Sequence, residues 1–322
     1  MAVIESKEHT LEAQELRAIY CDALLDAAER DDKIVVLNCD MSTSMGTNPF
    51  INRFPERSFN MGIQEANACG TAAGLSLTGF KPFLHTFSAF ITRRIYDQIF
   101  LSCAYAGLNV KLVGGDAGVS TASNGGTHMP FEDVGLLRLV PGATIVEPAD
   151  GSAMRALIPQ LAELYGVSYL RMPRRKAVRI YENGTEFAIG KANILREGRD
   201  VSIIASGMLV YEALLAADML LEQGIQARVV DMFTIKPLDV ACVQACARET
   251  GAIVTAENHN YLNGLGSAVA ETLVESYPVP MERIGVREQF GEVGTVEYLL
   301  EHFGLSAPFI CKKAIECIAR KR

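Results

Sequence analysis

The 322 residues carry 30 Lys and Arg against 38 Asp and Glu, a formal charge of -8, with 49% hydrophobic and 21% charged residues. That balance suits a chain with a large core in roughly two domains of about 150 residues, and it disfavours nucleic acid, whose backbone is held by basic patches. No apolar run nears the roughly 18 residues of a membrane span, and "MAVIESKEHTLEAQ" lacks a basic start and an apolar signal segment, so a cytoplasmic protein without membrane contact is expected.

In chain order, Leu16, Ile19, Tyr20, Ala23, Leu24 and Ala27 recur at helical spacing, and "KIVVLN" after them is short, β-branched and continuous, as a strand buried on both faces should be. The alternation goes on with a helix from Glu65 to Leu77, the strand "FKPFLHTF", a helix over "AFITRRIYDQIFLSCAYAG" and the strand "VKLVGG". A Gly/Ser/Thr/Asn loop follows, then helix "FEDVGLLRLV", strand "ATIVEP", a helix from Ser152 to Tyr165 and strand "VSYLRM". The charged, turn-rich stretch 176–190, with Asn183-Gly184, reads as a linker. A second series then opens: "VSIIASG", a helix from Val210 to Gln223, "QARVVDMF", a helix after Pro237, "GAIVTAEN", a helix after Gly266, and "RIGV". The expected fold class is therefore α/β, with two domains, 1–175 and 191–322, each a mainly parallel sheet flanked by helices. The eight cysteines lie mostly in apolar periodic segments without C-x-x-C pairs, and read as reduced core residues. The basic end "KKAIECIARKR" reads as a solvated helix face.

Several residues stand out against this frame. Glu65 is an acid in the otherwise small and apolar stretch that follows it; a first-turn helix acid favoured by the dipole is one reading. The small residues Ala66, Ala68, Gly70, Ala72, Ala73 and Gly74 around it suit a dimer seam or a cofactor wall. His128 is the one imidazole of a long loop, "GVSTASNGGTHMPFED", and loops of that length are usually functional or disordered. Asn124 in the same loop is a turn former or a ligand. Phe87, Phe90 and Tyr96 form an aromatic stripe, core or platform, interrupted by Arg93-Arg94. Arg171, Arg174 and Arg175 fall at the end of a parallel strand, where open α/β sheets place ligands and a guanidinium suits phosphate or carboxylate. "NGLGSAVAE" lacks the third glycine of a dinucleotide fingerprint, and "GGDAG" lacks the Lys of a P-loop.

Taken together, "MGIQEANACGTAAGLSLTGFKPFLHTFSAF", "GGTHMPFEDVGLLRLVPGATIVEPAD", "DMFTIKPLD" and "TAENHNYLNGLGSAVAE" resemble the second half of a transketolase, its pyrimidine-binding domain followed by its C-terminal domain, over nearly the whole chain. Deoxyxylulose-phosphate synthases and beta subunits of 2-oxo acid dehydrogenases are relatives in the same superfamily, and "AFITRRIYDQI" looks synthase-like. The resemblance implies thiamine diphosphate as cofactor and ketol transfer between sugar phosphates as activity. It implies that Glu65 hydrogen-bonds the cofactor's aminopyrimidine, and a carboxyl walled by apolar groups is expected to ionise above the free value of about 4.3.

By the same resemblance, Phe87 and Phe90 line the pyrimidine pocket, with Asp40 and Met41 near the thiazolium. His128 is implied to contact the reacting sugar oxygens, and Arg17, Ser44 and Arg174 the substrate phosphate. Asn124 stands where transketolases usually have an aspartate that reads a sugar hydroxyl, which puts the usual aldose preference in doubt; Arg93 stands where many have tyrosine. The family's Gly-Asp-Gly motif and later asparagine, which carry the diphosphate through Mg2+ (or Ca2+), are absent, as is a preceding domain. A split enzyme is therefore expected. An N-terminal subunit would hold diphosphate and metal, this chain would form a homodimer core, and the assembly would be a heterotetramer.

Overall fold

The structure, a computed structural model, describes residues 2–321. Its strands are β1 Ile34–Asn38, β2 Ser58–Asn60, β3 Lys81–Phe87, β4 Lys111–Gly115, β5 Thr144–Val146, β6 Ser168–Arg171, β7 Asn193–Arg196, β8 Val201–Ala205, β9 Ala227–Asp231, β10 Thr234–Lys236, β11 Ile253–Asn260 and β12 Met281–Val286. They form a seven-stranded sheet, β10-β5-β6-β4-β3-β1-β2, and a five-stranded sheet, β12-β11-β8-β9-β7. Only the edge strands β10 and β7 run antiparallel to their neighbours. The fold is the expected pair of mainly parallel sheets flanked by helices.

The strand sequences explain their burial. In the first sheet Val35, Leu37, Leu84 and Leu112 point to one side and pack beneath helix Glu65–Leu77, while Ile34, Val36, Phe83 and Val113 point to the other, beneath helices Leu16–Arg30 and Gly151–Glu163. Successive side chains of a strand face opposite ways, so helices on both sides demand a continuous apolar run. The second sheet repeats the scheme. Ile203, Val229 and Val254 meet helices Leu209–Leu221 and Ala307–Ile318; Ile204, Val230 and Ile253 meet helices Val240–Thr250 and Leu265–Glu275. All eight cysteines are free, and all but Cys242 are buried. No helix among the described residues is long and apolar enough to cross a membrane.

Three local features are not legible in the periodicity. Strand β10, from the second half of the chain, adds itself to the edge of the first sheet beside β5, and Phe233 O accepts from Glu147 N at 2.8 Å. Residues 176–190 are packed: Leu11 bridges to Val178, Glu5 bridges to Tyr181, and buried Tyr181 donates its hydroxyl to Asp231 Oδ2 at 2.7 Å. The stretch expected as one helix after Phe87 breaks into an α-turn Ser88–Thr92, a 3-10 turn Arg93–Ile95 and a π-helical run Gln98–Tyr105. Thr92 Oγ1 bonds back to Ser88 O at 2.7 Å, a contact that bends helices, and π segments often accompany functional sites.

A buried guanidinium lies where the two halves meet. Arg171, at the end of β6, has no exposure; it donates to both oxygens of Asp133, to Glu147 Oε1 and, from Nη2, to Asn258 O at 2.7 Å. Glu147 Oε2 in turn accepts from Ser206 Oγ at 2.8 Å. Burial pushes the Asp133 carboxyl up, yet Arg171, with His259, outweighs it and holds Asp133 below the usual carboxylate range. Deleting one member of such a cluster strands its partners as unpaired buried charges, so Arg171→Met is expected to cost about 3–5 kcal/mol of unfolding free energy, measured by chemical denaturation.

Candidate active site

Parallel strands deliver their following residues to one edge of a sheet, and several of the expected site residues arrive there together with Asp116, which is not among those expected. Asp40 and Met41 follow β1, Phe87 closes β3, Asp116 follows β4, and Arg174 lies just beyond β6. Glu65 approaches from the side as the first residue of helix Glu65–Leu77 and is only 3% exposed.

These groups form a chain of contacts. Arg94 Nη1 lies 2.8 Å from Glu65 Oε1, and the same guanidinium sits 4.0 Å over the Phe90 ring. Phe90 and Phe87 both make T-shaped contacts with His128, at centroid distances of 5.1 and 5.9 Å. Met41 packs with the cluster that holds Phe87 and Phe90. Arg174 lies 5.3 Å from the Phe87 ring and grips Asp116 with two bonds, Nε to Oδ1 at 2.9 Å and Nη2 to Oδ2 at 2.6 Å. Asn124 Nδ2 reaches Asp116 Oδ2 at 3.5 Å. Burial lifts the Asp116 carboxyl above its ordinary value, against the opposing charges of Arg174, Arg17 and His128.

Some expected placements are modified. The wall around Glu65 is not wholly apolar, because Arg94 supplies a positive charge directly on its carboxylate. Arg17 meets Ser44 through the backbone: Nη1 donates to Ser44 O at 2.7 Å, while Nη2 pairs with Glu15 at 2.6 Å. Arg17 and Arg174 are thus each already paired with an acid. An incoming anion must compete with those carboxylates. Asp40 has left-handed φ of +59° and turns to Asn60, whose Nδ2 donates to Asp40 Oδ1 at 3.1 Å. Arg171 is the structural guanidinium described above and faces no ligand space.

Asp116 is not among the residues the sequence motifs single out, and for Arg93 and Arg94 the sequence does not tell their partners. Asp116 sits inside "GGDAG", which lacks the Lys of a P-loop, although an acid immediately after a buried strand run is a positional signal. Arg94 is the partner of Glu65. Arg93 donates to Thr127 O at 2.9 Å and Glu132 Oε1 at 2.8 Å, and so tethers the loop that presents His128. Thr127 Oγ1 in turn meets His128 Nδ1 at 2.8 Å. Among the described residues, no group of three or more His, Cys, Asp and Glu gathers as a metal site.

Two families match the sequence: residues 12–178 match the transketolase pyrimidine-binding domain, and residues 190–310 match the transketolase C-terminal domain. The chain belongs to the transketolase family. It is 50% identical over 314 residues, covering 98% of each chain, to a subunit of the 6-deoxy-6-sulfo-D-fructose transketolase of Clostridium sp. (strain MSTE9). It is 39% identical to one of the subunits of the apulose-4-phosphate transketolase of Phocaeicola vulgatus, over 94% of this chain and 97% of that one. Among solved structures, a split-gene transketolase in the form of an inactive beta4 tetramer superimposes with a TM-score of 0.89 at 41% identity, over 97% of this chain and all of the other. Length and domain content thus match those of the C-terminal subunits of split transketolases.

The Asp116–Arg174 pair is buried on the acid's side and bidentate. A double-mutant cycle with Asp116→Ala and Arg174→Ala, read by chemical denaturation, is expected to return a coupling of about 1–3 kcal/mol.

Proposed function

We propose that this chain is the catalytic C-terminal subunit of a cytoplasmic two-chain transketolase that moves a two-carbon ketol unit between sugars. The observation that carries the proposal is Glu65, an acid buried at the head of its helix and linked through Arg94 and Phe90 to an aromatic pocket closed by Phe87 and His128. A sheltered acid beside aromatic faces fits the aminopyrimidine end of thiamine diphosphate, whose bound thiazolium carbon supplies the carbanion chemistry. Glu65 would hold the ring by a shared proton, Phe87 and Phe90 would wall it, and Asp40 and Met41 would lie toward the thiazolium.

His128, with Nδ1 taken by Thr127, presents Nε2 to the reacting sugar oxygens as hydrogen-bond donor or proton relay. Asp116 and Asn124 together offer an acceptor and a neutral amide to sugar hydroxyls, in place of a lone aspartate. Arg17, Ser44 and Arg174 lie at the end suited to the donor's anionic tail.

The diphosphate and Mg2+ (or Ca2+) are assigned to an N-terminal partner subunit. Exposed Ala66, Gly70 and Gly74, with Ile63 and Leu77 largely exposed beside them, form a small-residue face on which two copies of this chain would pack, giving a heterotetramer. At both glycines an added Cβ meets nothing within 4 Å, so the face leaves room for close approach. Among donors, a 6-deoxy-6-sulfo-ketose is supported by the similarity to the sulfofructose enzyme, and a phosphorylated ketose is the alternative. Assay of the two-chain complex with each donor decides between them; carbon dioxide released from pyruvate would instead indicate a decarboxylating relative.

Glu65→Ala in that complex is expected to abolish nearly all turnover with the fold intact by circular dichroism, and full activity would remove Glu65 from its assigned role. Titration calorimetry of the isolated chain should show no tight uptake of thiamine diphosphate. Nanomolar affinity without a partner would overturn the two-chain assignment.

A further inference from the structure

The loop between β4 and helix Asp133–Arg138 presents both Asp116 and His128, and its backbone is strained. Asp116, Gly118 and Ala122 have φ of +56°, +52° and +49°. Residues other than glycine adopt such values at a steric cost and keep them only where the surroundings impose them.

The restraint comes from the other half of the chain. Asn258, on β11 and 2% exposed, donates from Nδ2 to Ala117 O at 3.1 Å and accepts at Oδ1 from Val119 N at 2.9 Å. It thereby brackets Gly118, where an added Cβ would collide with Oδ1. The backbone carbonyl of Asn258 is held in its turn by Arg171. On the far side of the bracket, Thr121 Oγ1 lies 2.7 Å from Asp116 O and 3.2 Å from His128 O. A displacement at residues 117–119 therefore reaches both site residues.

The geometry points to Asn258 as a positioning residue, a carboxamide of the C-terminal half that fixes the strained loop presenting Asp116 and His128. A planar amide donates and accepts at once without a charge, which suits a fully enclosed peptide segment. Aspartate would keep the acceptor for Val119 N and set a second oxygen against Ala117 O; alanine would leave Val119 N without its acceptor and Ala117 O with only its bonds from Ser120. Asn258 would then act on the site from the C-terminal half without touching substrate or cofactor, beside the packing of Gly291 and Val293 on the same loop. Only the kinetic part of the inference rests on the ketol-transfer reading.

The test compares wild type with Asn258→Ala and Asn258→Asp, by amide hydrogen exchange in the full chain and by kinetics in the two-chain enzyme with thiamine diphosphate and Mg2+. Loss of two buried hydrogen bonds is expected to speed exchange at Val119 and its loop neighbours by about tenfold or more. It should also lower kcat/KM for the sugar donor by about tenfold or more, while the Kd for thiamine diphosphate stays within about twofold. Gly118→Ala should reproduce both effects by driving a methyl into Oδ1, and should add less in the Asn258→Ala background, where that oxygen is gone. If Asn258→Ala does not fold, Asn258→Asp and Gly118→Ala make the same comparison. Unchanged loop exchange would overturn the inference whatever the kinetics, and faster exchange with wild-type kcat and KM would overturn the positioning role. Absence of ketol transfer by the wild-type complex would overturn the functional reading instead, with the exchange result still deciding whether Asn258 holds the loop.

Discussion

The guanidinium of Arg171 has no contact with solvent and satisfies the carboxylates of Asp133 and Glu147 together with the carbonyl of Asn258. Such a cluster gains little net stability over a well-packed apolar one, because three charges have been taken out of water. Its weight lies in what it forbids. A sliding or rotation of one sheet against the other would strip Arg171 of the Asn258 carbonyl and Glu147 of the Ser206 hydroxyl, leaving buried charged groups short of hydrogen-bond partners. Strand β10 adds to this constraint by crossing from the second half to complete the first sheet.

The candidate site sits beside this junction, joined to it through Asn258. Parallel strands bring Asp40, Phe87, Asp116 and Arg174 to a common edge, and the charges there are matched in advance: Glu65 with Arg94, Asp116 with Arg174, Arg17 with Glu15. A pocket whose acids and bases are already paired costs less to desolvate than one holding bare charges, and it favours ligands able to replace those pairs. An anionic group is such a ligand, since it offers Arg174 what Asp116 offers now. The same matching makes the Glu65 surroundings more polar than its small, apolar sequence neighbours suggest.

Much of the fold is legible in the sequence because its signals are local. "KIVVLN" must be a strand covered on both faces, since four consecutive apolar positions, Ile34 to Leu37, would otherwise meet water. The helix starting at Glu65, the glycine-rich loop before His128 and the run of arginines after β6 are equally plain. Asp116 is not, because its importance rests on Arg174, fifty-eight positions away, nor is Arg94, because one guanidinium in a helical stripe does not announce which acid it faces. The break in the helix after Phe87 arises from a bond between Thr92 and Ser88 and from the turning of Arg93 and Arg94 toward the site, which no periodicity records. β10 is too short to show an alternation, and it is a strand only because β5 lies beside it.

The sequence by itself determined the α/β architecture, because strand runs and helix spacing are properties of neighbouring residues, whereas the grouping of Glu65, Phe87, Phe90 and His128 was implied by the resemblance of its ordered motifs to a family. Tertiary structure alone decided which charge answers which, that Arg171 is enclosed while Arg174 pairs with Asp116 beside Phe87, and that Asn258 bonds to a loop far from it in the chain. Those outcomes depend on distance and burial in three dimensions, where the cost of an unpaired charge or an unpaired peptide group is set.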